Sequence, residues 1–228
     1  MKSPESTCWD VIQGAAQGNQ TEREGFARHY AAIVRAYLAT RWRGTAWLQE
    51  IDDAIQEVFV ECFRHGGALE RADREQPGGF RRFLCGVVRN VALRIEMGPS
   101  RWRERQPPSD FREGGVADDE RTLSQVFDRA WAVAIMREAA ELQAARARAT
   151  PDDGALKRKE LLRLRAEEGL PIRKIANRWR EDPARLHHEY ARARKEFKAA
   201  LTEIVAFHHP GSRAEIEQEC RALLSLLA

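Results

Sequence analysis

The chain reads as an all-α protein built from two helical domains. Three observations predict this. Ala, Arg, Glu and Leu, all good helix formers, dominate the composition. Period-2 alternation of β-branched residues is nearly missing. Apolar residues instead recur at spacings of three and four behind recognisable cap residues. At 228 residues the chain has room for one or two domains with real cores.

A first short helix is expected over about Cys8 to Gln17, anchored by Trp9, Val11 and Ile12. Thr21 opens T-E-R-E, a capping-box pattern with Thr21 as cap and Glu24 reaching back. The helix behind it carries Phe26, Tyr30, Ile33, Val34, Tyr37 and Leu38 on one stripe. The next helix places Ile51, Ile55, Val58, Phe59, Cys62 and Phe63 inward, and Gly66-Gly67 stops it. Ala68 to Gly79 reads as a polar loop. Phe80 to Glu96 returns to helix, with Phe80, Leu84, Val87, Val88, Val91 and Ile95 facing one way.

Residues 98–120 change character, gathering Pro99, Pro107, Pro108, Gly114 and Gly115 among many charges. This composition predicts a flexible linker. It sets the expected organisation: a helical domain over 1–97, a linker over 98–120, a second helical domain over 121–206 and an extension over 207–228. In the second domain, helices are expected over about Leu123 to Arg148 and Leu156 to Glu168, with Gly169 just past the latter's end. In the extension, Ser212 to Glu215 forms a capping box. The stripe Ile216, Cys220, Leu223, Leu224 and Leu227 follows it.

Net charge is +3, from 38 Lys+Arg against 35 Asp+Glu. Residues 1–100 balance 13 basic against 13 acidic side chains, whereas residues 141–206 carry 16 against 11. The one distinctly basic segment therefore lies in the second domain. No apolar run approaches the roughly 18 residues of a membrane helix. The first ten residues lack the apolar core of a signal peptide. Both point to the cytoplasm. Cys8, Cys62, Cys85 and Cys220 form no CxxC pair, so zinc-finger and redox-motif readings lose their support. No Gly-rich phosphate loop, HExxH or nucleophile elbow occurs, and neither an enzyme nor a cofactor is expected.

The basic segment holds the most informative pattern, Gly169 to Phe197. Gly169-Leu170-Pro171 ends one helix and starts another, with Pro171 expected near the first helical position. Ile172, Ile175, Ala176 and Trp179 share a face. Asp182-Pro183 then opens a further helix, with Asp as N-cap and Pro at N1. Leu186, Tyr190, Ala193 and Phe197 point inward. Two helices joined by so short a turn make a helix-turn-helix, whose second helix enters the major groove. The candidate base-reading residues are Arg185, His187, His188 and Arg192, and Arg194, Lys195 and Lys198 can meet phosphates. His187 and His188 point about 100° apart on a helix and cannot easily chelate one metal. An ordinary helical hairpin with a solvated face is the bland alternative.

Here the chain resembles bacterial sigma-70 family factors of the small, two-domain extracytoplasmic-function type. The run Ile175 to Phe197 aligns without a gap on that family's terminal helix-turn-helix. Ile175, Ala176, Arg192, Ala193, Arg194 and Lys195 match it. Asp52-Asp53-Ala54-Ile55-Gln56-Glu57-Val58-Phe59 is similar to the family's signature for binding the polymerase clamp helices. Phe80 to Ala92 is similar to the signature of the helix beside the −10 element. The resemblance implies a factor that binds core RNA polymerase through Asp52, Asp53, Gln56 and Glu57. It implies contact with melted −10 DNA through Arg71, Arg74, Arg81, Arg82, Arg89 and Asn90. It further implies reading of the double-stranded −35 element through Arg185, His187, His188, Arg192 and Arg194. An anti-sigma factor is a further candidate partner. The chain departs from the pattern in three places: Arg180 replaces the turn glycine, Arg185-Leu186-His187-His188-Glu189 replaces the usual recognition run, and Phe83 replaces a Trp. The rival readings are a helix-turn-helix regulator that never touches polymerase, and a helical adaptor that binds protein alone.

Overall fold

The computed structural model describes residues 8–73, 79–104, 118–150 and 154–227, with the backbone alone for 99–104 and 118–120. Among them every regular element is helical: α1 (Cys8–Ala16), α2 (Gln20–Arg41), α3 (Ile51–Phe63), α4 (Gly79–Glu104), α5 (Asp118–Ala149), α6 (Gly154–Ala166), α7 (Ile172–Trp179), α8 (Pro183–His208) and α9 (Arg213–Ser225). Two short 3₁₀ turns, Ala46–Glu50 and Leu69–Arg71, flank α3. The expected all-α class is what the chain adopts. No helix among the described residues is long and apolar enough to cross a membrane.

The chain divides into two compact units, Met1–Ala134 with Ala222–Ala228, and Ile135–Arg221. The sequence places the division over 98–120, whereas the contacts place it within α5. The helix run of α4 does break at Gly98, where φ is 73°, but residues 105–117 of the expected linker lie outside the described residues.

In the first unit α1, α2, α3 and α4 pack on one another around Phe26, Ile33, Val34, Leu38, Val58, Leu84 and Val88. Tyr30 of α2 stacks on Trp131 of α5, ring centroids 5.4 Å apart. Phe83, the residue standing where the resemblance expects Trp, is buried in this core. The cap of α2 is Asn19, whose Oδ1 accepts from the Glu22 N–H at 3.3 Å. Thr21, expected as the cap, sits inside the helix. Gln20 is the residue that reaches forward to Glu24, at 3.1 Å.

α3 ends at Arg64, and Gly67 follows where a Cβ would lie 2.5 Å from the Arg64 carbonyl oxygen. Only glycine closes that turn, so the expected stop is real and has a steric cause. Glu96 of α4 ties the far end of α2. It accepts from Arg41 at 2.6 and 2.8 Å and from the Trp42 indole at 2.7 Å. Burial pushes the Glu96 carboxyl up, but these donors outweigh it and hold it below the ordinary carboxylate range. Burial also pushes the Cys62 and Cys85 thiols up to about 12. Cys62 is buried in the core and Cys85 is half-buried, and the raised thiols disfavour the nucleophilic thiolate at both.

The second unit is built around Leu161 and Leu164 of α6, Ile172, Ile175 and Ala176 of α7, and Leu186 of α8. Leu170, Trp179 and Tyr190 pack against this cluster. The Gln143 side chain of α5 donates to the Ala193 carbonyl at 3.2 Å inside the core. In α9, Ser212 and Glu215 form the expected reciprocal box. The Ser212 N–H donates to Glu215 at 2.6 Å, and the Glu215 N–H donates to Ser212 at 3.4 Å. Of the extension's stripe, Leu223 is buried and Leu224 is exposed.

Candidate nucleic-acid interface

The turn between α7 and α8 fixes how α8 is presented. Asp182 caps α8, its carboxylate accepting from the Arg185 N–H at 3.1 Å, and Pro183 takes the first helical position. Both are as the sequence predicts. Pro171 is the N-cap of α7, one place earlier than expected.

α7 closes with a Schellman arrangement. The Glu181 N–H donates to the Ala176 carbonyl at 3.0 Å, and the Arg180 N–H to Asn177 at 3.4 Å. That geometry needs a left-handed residue, and Arg180 supplies it with φ 56° and ψ 46°. It is the one non-glycine residue at positive φ among the described residues. An L-residue there costs about 1–2 kcal/mol that glycine would not. The turn therefore keeps its shape despite the departure at this position.

Along α8, Leu186, Ala193, Ala200 and Leu201 are buried. Arg185, His187, His188, Arg192 and Arg194 are all exposed. Arg185, His188, Arg192 and Lys195 follow one another at spacings of three and four, so they form one outward stripe. His187, Ala191, Arg194 and Lys198 form the stripe beside it. Arg194 lies over the Tyr190 ring, 5.9 Å from its centroid.

The acidic residues of the motif take a different position. Arg158 of α6 is 5% exposed, and its guanidinium donates to Glu196 at 2.7 Å and to Glu189 at 3.4 Å. Glu189, the acid standing where the resemblance expects a base, thus serves as a partner of a buried cation. Arg192 lies 3.6 Å from the same carboxylate. Glu181 pairs with Lys157 of α6, and Asp182 is spent as a cap. Residues 171–198 hold nine basic and four acidic side chains. Three of the four acids pair with basic side chains and Asp182 is held as a cap, so the nine bases outweigh the acids on the outward face. Sequence reasoning missed Arg158, because an arginine in a helical pattern carries no sign that it is buried.

The other predicted groups lie in the first unit. Asp52, Asp53, Gln56 and Glu57 are exposed on α3. Asp52 pairs with Arg35 of α2, and Glu57 with Arg94 of α4 at 3.0 Å. Arg94 also reaches Glu61, at 3.1 Å. Burial pushes the Glu61 carboxyl up, and hydrogen bonds from Arg64 and Arg94 bring it below its usual range. Asp53 has no ion pair among the described residues.

Of the predicted −10 residues, Arg71 and Arg82 are exposed, while Arg81, Arg89 and Asn90 are half-buried. Arg81 pairs with Asp128 of α5 at 3.2 Å, and Arg71 lies 3.7 Å from Glu61. Arg74 lies outside the described residues. The structure thus gathers the five α8 residues on one surface, whereas the α4 group is spread between exposed and internally paired positions. No model of a known protein family matches the chain. No curated protein matches it either.

Proposed function

We propose that the chain is a sigma-like transcription factor that binds core RNA polymerase through α3 and reads promoter DNA through α8, without catalytic activity of its own. The observation that carries the reading is the capped α8, whose outward stripes hold Arg185, His187, His188, Arg192 and Arg194, while the acids of the motif are held by the protein's own groups, with Glu189 shared between Arg158 and Arg192. A surface of this kind favours phosphate and base-edge contact in the major groove. The exposed acids of α3 give a second, oppositely charged surface, suited to a basic partner. The resemblances at Asp52–Phe59 and Phe80–Ala92 join the two into one function.

A second reading is a helix-turn-helix regulator that acts without polymerase. It is favoured by the pairing of Asp52 with Arg35 and of Glu57 with Arg94, since these arginines relieve acids that a basic partner would otherwise neutralise. Co-elution on a sizing column separates the two. With core polymerase, the first reading expects a complex that Asp53→Lys weakens. The second expects separate peaks and undiminished DNA binding.

A further inference from the structure

We infer that Arg180 is a DNA-phosphate contact, retained at the turn because its guanidinium extends the DNA-facing surface of α8 back onto α7. The inference rests on the reading of α7 and α8 as a DNA-binding helix-turn-helix and adds to it a residue which that reading leaves unexplained.

The first reason is conformational. Both closing hydrogen bonds of the turn are made by backbone groups, from the Arg180 and Glu181 N–H to Asn177 and Ala176. Glycine would make them equally well and without strain. The Arg180 side chain therefore contributes nothing to the turn that holds it at φ 56°. Strain of this kind persists where the strained group has work to do.

The second reason is electrostatic. Arg180 is exposed and makes no ion pair or side-chain hydrogen bond among the described residues. The acids beside it in sequence are taken, Glu181 by Lys157 and Asp182 by the Arg185 N–H. A guanidinium in this setting is available to an external anion. Its planar fork matches two oxygens of a phosphodiester.

The third reason is position. Arg180 lies two residues before the cap of α8 and directly after α7. Arg173, Lys174, Asn177 and Arg178 are the exposed residues of α7 at spacings that place them on a common side. In a helix-turn-helix the first helix crosses the DNA backbone while the second enters the groove. Arg180 is where those two surfaces meet.

The test uses the full chain, a fluorescein-labelled mixed-sequence DNA duplex and a salt titration of the affinity, with a thermal melt of each variant. Arg180→Gly should melt higher than the parent and bind the duplex more weakly. Its slope of log affinity against log salt should be shallower by about 0.9, the effect of one lost phosphate contact. Arg180→Lys should keep the parental slope. Arg180→Asn, which also tolerates the left-handed region, should show the same shallower slope. An unchanged slope in the neutral variants would overturn the inference while leaving α8 as a DNA reader. A lower melting temperature for Arg180→Gly would also overturn it, because the side chain would then be holding the turn. A parent chain that shows no salt-dependent duplex binding would remove the helix-turn-helix reading, and this inference with it.

Discussion

The surface of α3 and α4 and the surface of α8 are both dense in charge, yet they handle it in opposite ways. On the first, acids and bases neutralise one another directly, from the exposed pair of Arg35 with Asp52 to the pairs of the half-buried Arg94 with Glu57 and Glu61 and of the half-buried Arg81 with Asp128. On the second, two acids turn onto the buried Arg158, Glu181 pairs with Lys157 of α6, Asp182 serves as a cap, and the bases of α8 stay outside. Segment charge alone distinguishes a balanced half from a basic one. Only the arrangement shows that three of the second surface's four acids meet cations of α6, leaving the bases of α8 in excess on the outward stripes. An electrostatic binding face is made as much by where the opposite charges go as by how many like charges there are.

The largest effect on this contrast is expected at Arg158. Arg158→Ala strands Glu196 beside an apolar core and leaves Glu189 with Arg192 alone. The two carboxylates keep some solvent exposure, so the loss should sit at the low end of the range for a broken buried pair, about 3 kcal/mol. Urea unfolding followed by circular dichroism would measure it. A loss under about 1 kcal/mol would mean that the inward acids are incidental to the motif.

In the first unit the counterpart is Glu96. Glu96→Gln loses charge-assisted bonds from Arg41 and Trp42 and should cost about 2 kcal/mol. The pH dependence carries a definite sign. Glu96 and Glu61 are both held below the ordinary carboxylate range. The stability they give is therefore present above about pH 4.3 and lost as pH falls through their lower folded values. An acid titration of the Trp fluorescence of the parent should show this loss, and Glu96→Gln should flatten it.

The sequence made the local parts of this picture legible and the distant ones not. Asp182-Pro183 and the Ser212–Glu215 box are short-range signals that appear at the expected positions, and the start of α7 falls one residue from its expected place. Asn19 displaced Thr21 as a cap because two capping residues stand two positions apart, and the T-E-R-E pattern alone does not rank them. The Glu96 clamp joins residues 55 apart in the chain. The Arg158 pairs span 31 and 38. No local periodicity encodes such separations, so both an internal tie and a buried cation went unread. The candidate recognition residues were legible because exposure on α8 follows from its apolar stripe. The −10 group was less so, because Asp128 reaches Arg81 from a helix whose placement the sequence does not give.

A smaller effect is expected at the cap. Asp182→Ala should destabilise the chain by about 1 kcal/mol, read as a shift in the urea midpoint. It should also weaken DNA binding, because the first turn of α8 carries Arg185. The smallest is expected among the exposed pairs. Arg35→Ala breaks the pair with Asp52 on a solvated surface and should change stability by less than about 0.5 kcal/mol. A larger loss would mean that the first surface depends on its pairs for folding, as the second depends on Arg158.

The most direct measurement of the central claim is transcription in vitro with core RNA polymerase, the full chain and genomic DNA as template, with every start site mapped. Transcripts that require the chain are expected. The set of start sites should shift when Arg185 or His188 is replaced by Ala, since each base contact carries about 1–3 kcal/mol of discrimination. Start sites that are the same with and without the chain, or unmoved by both substitutions, would contradict it.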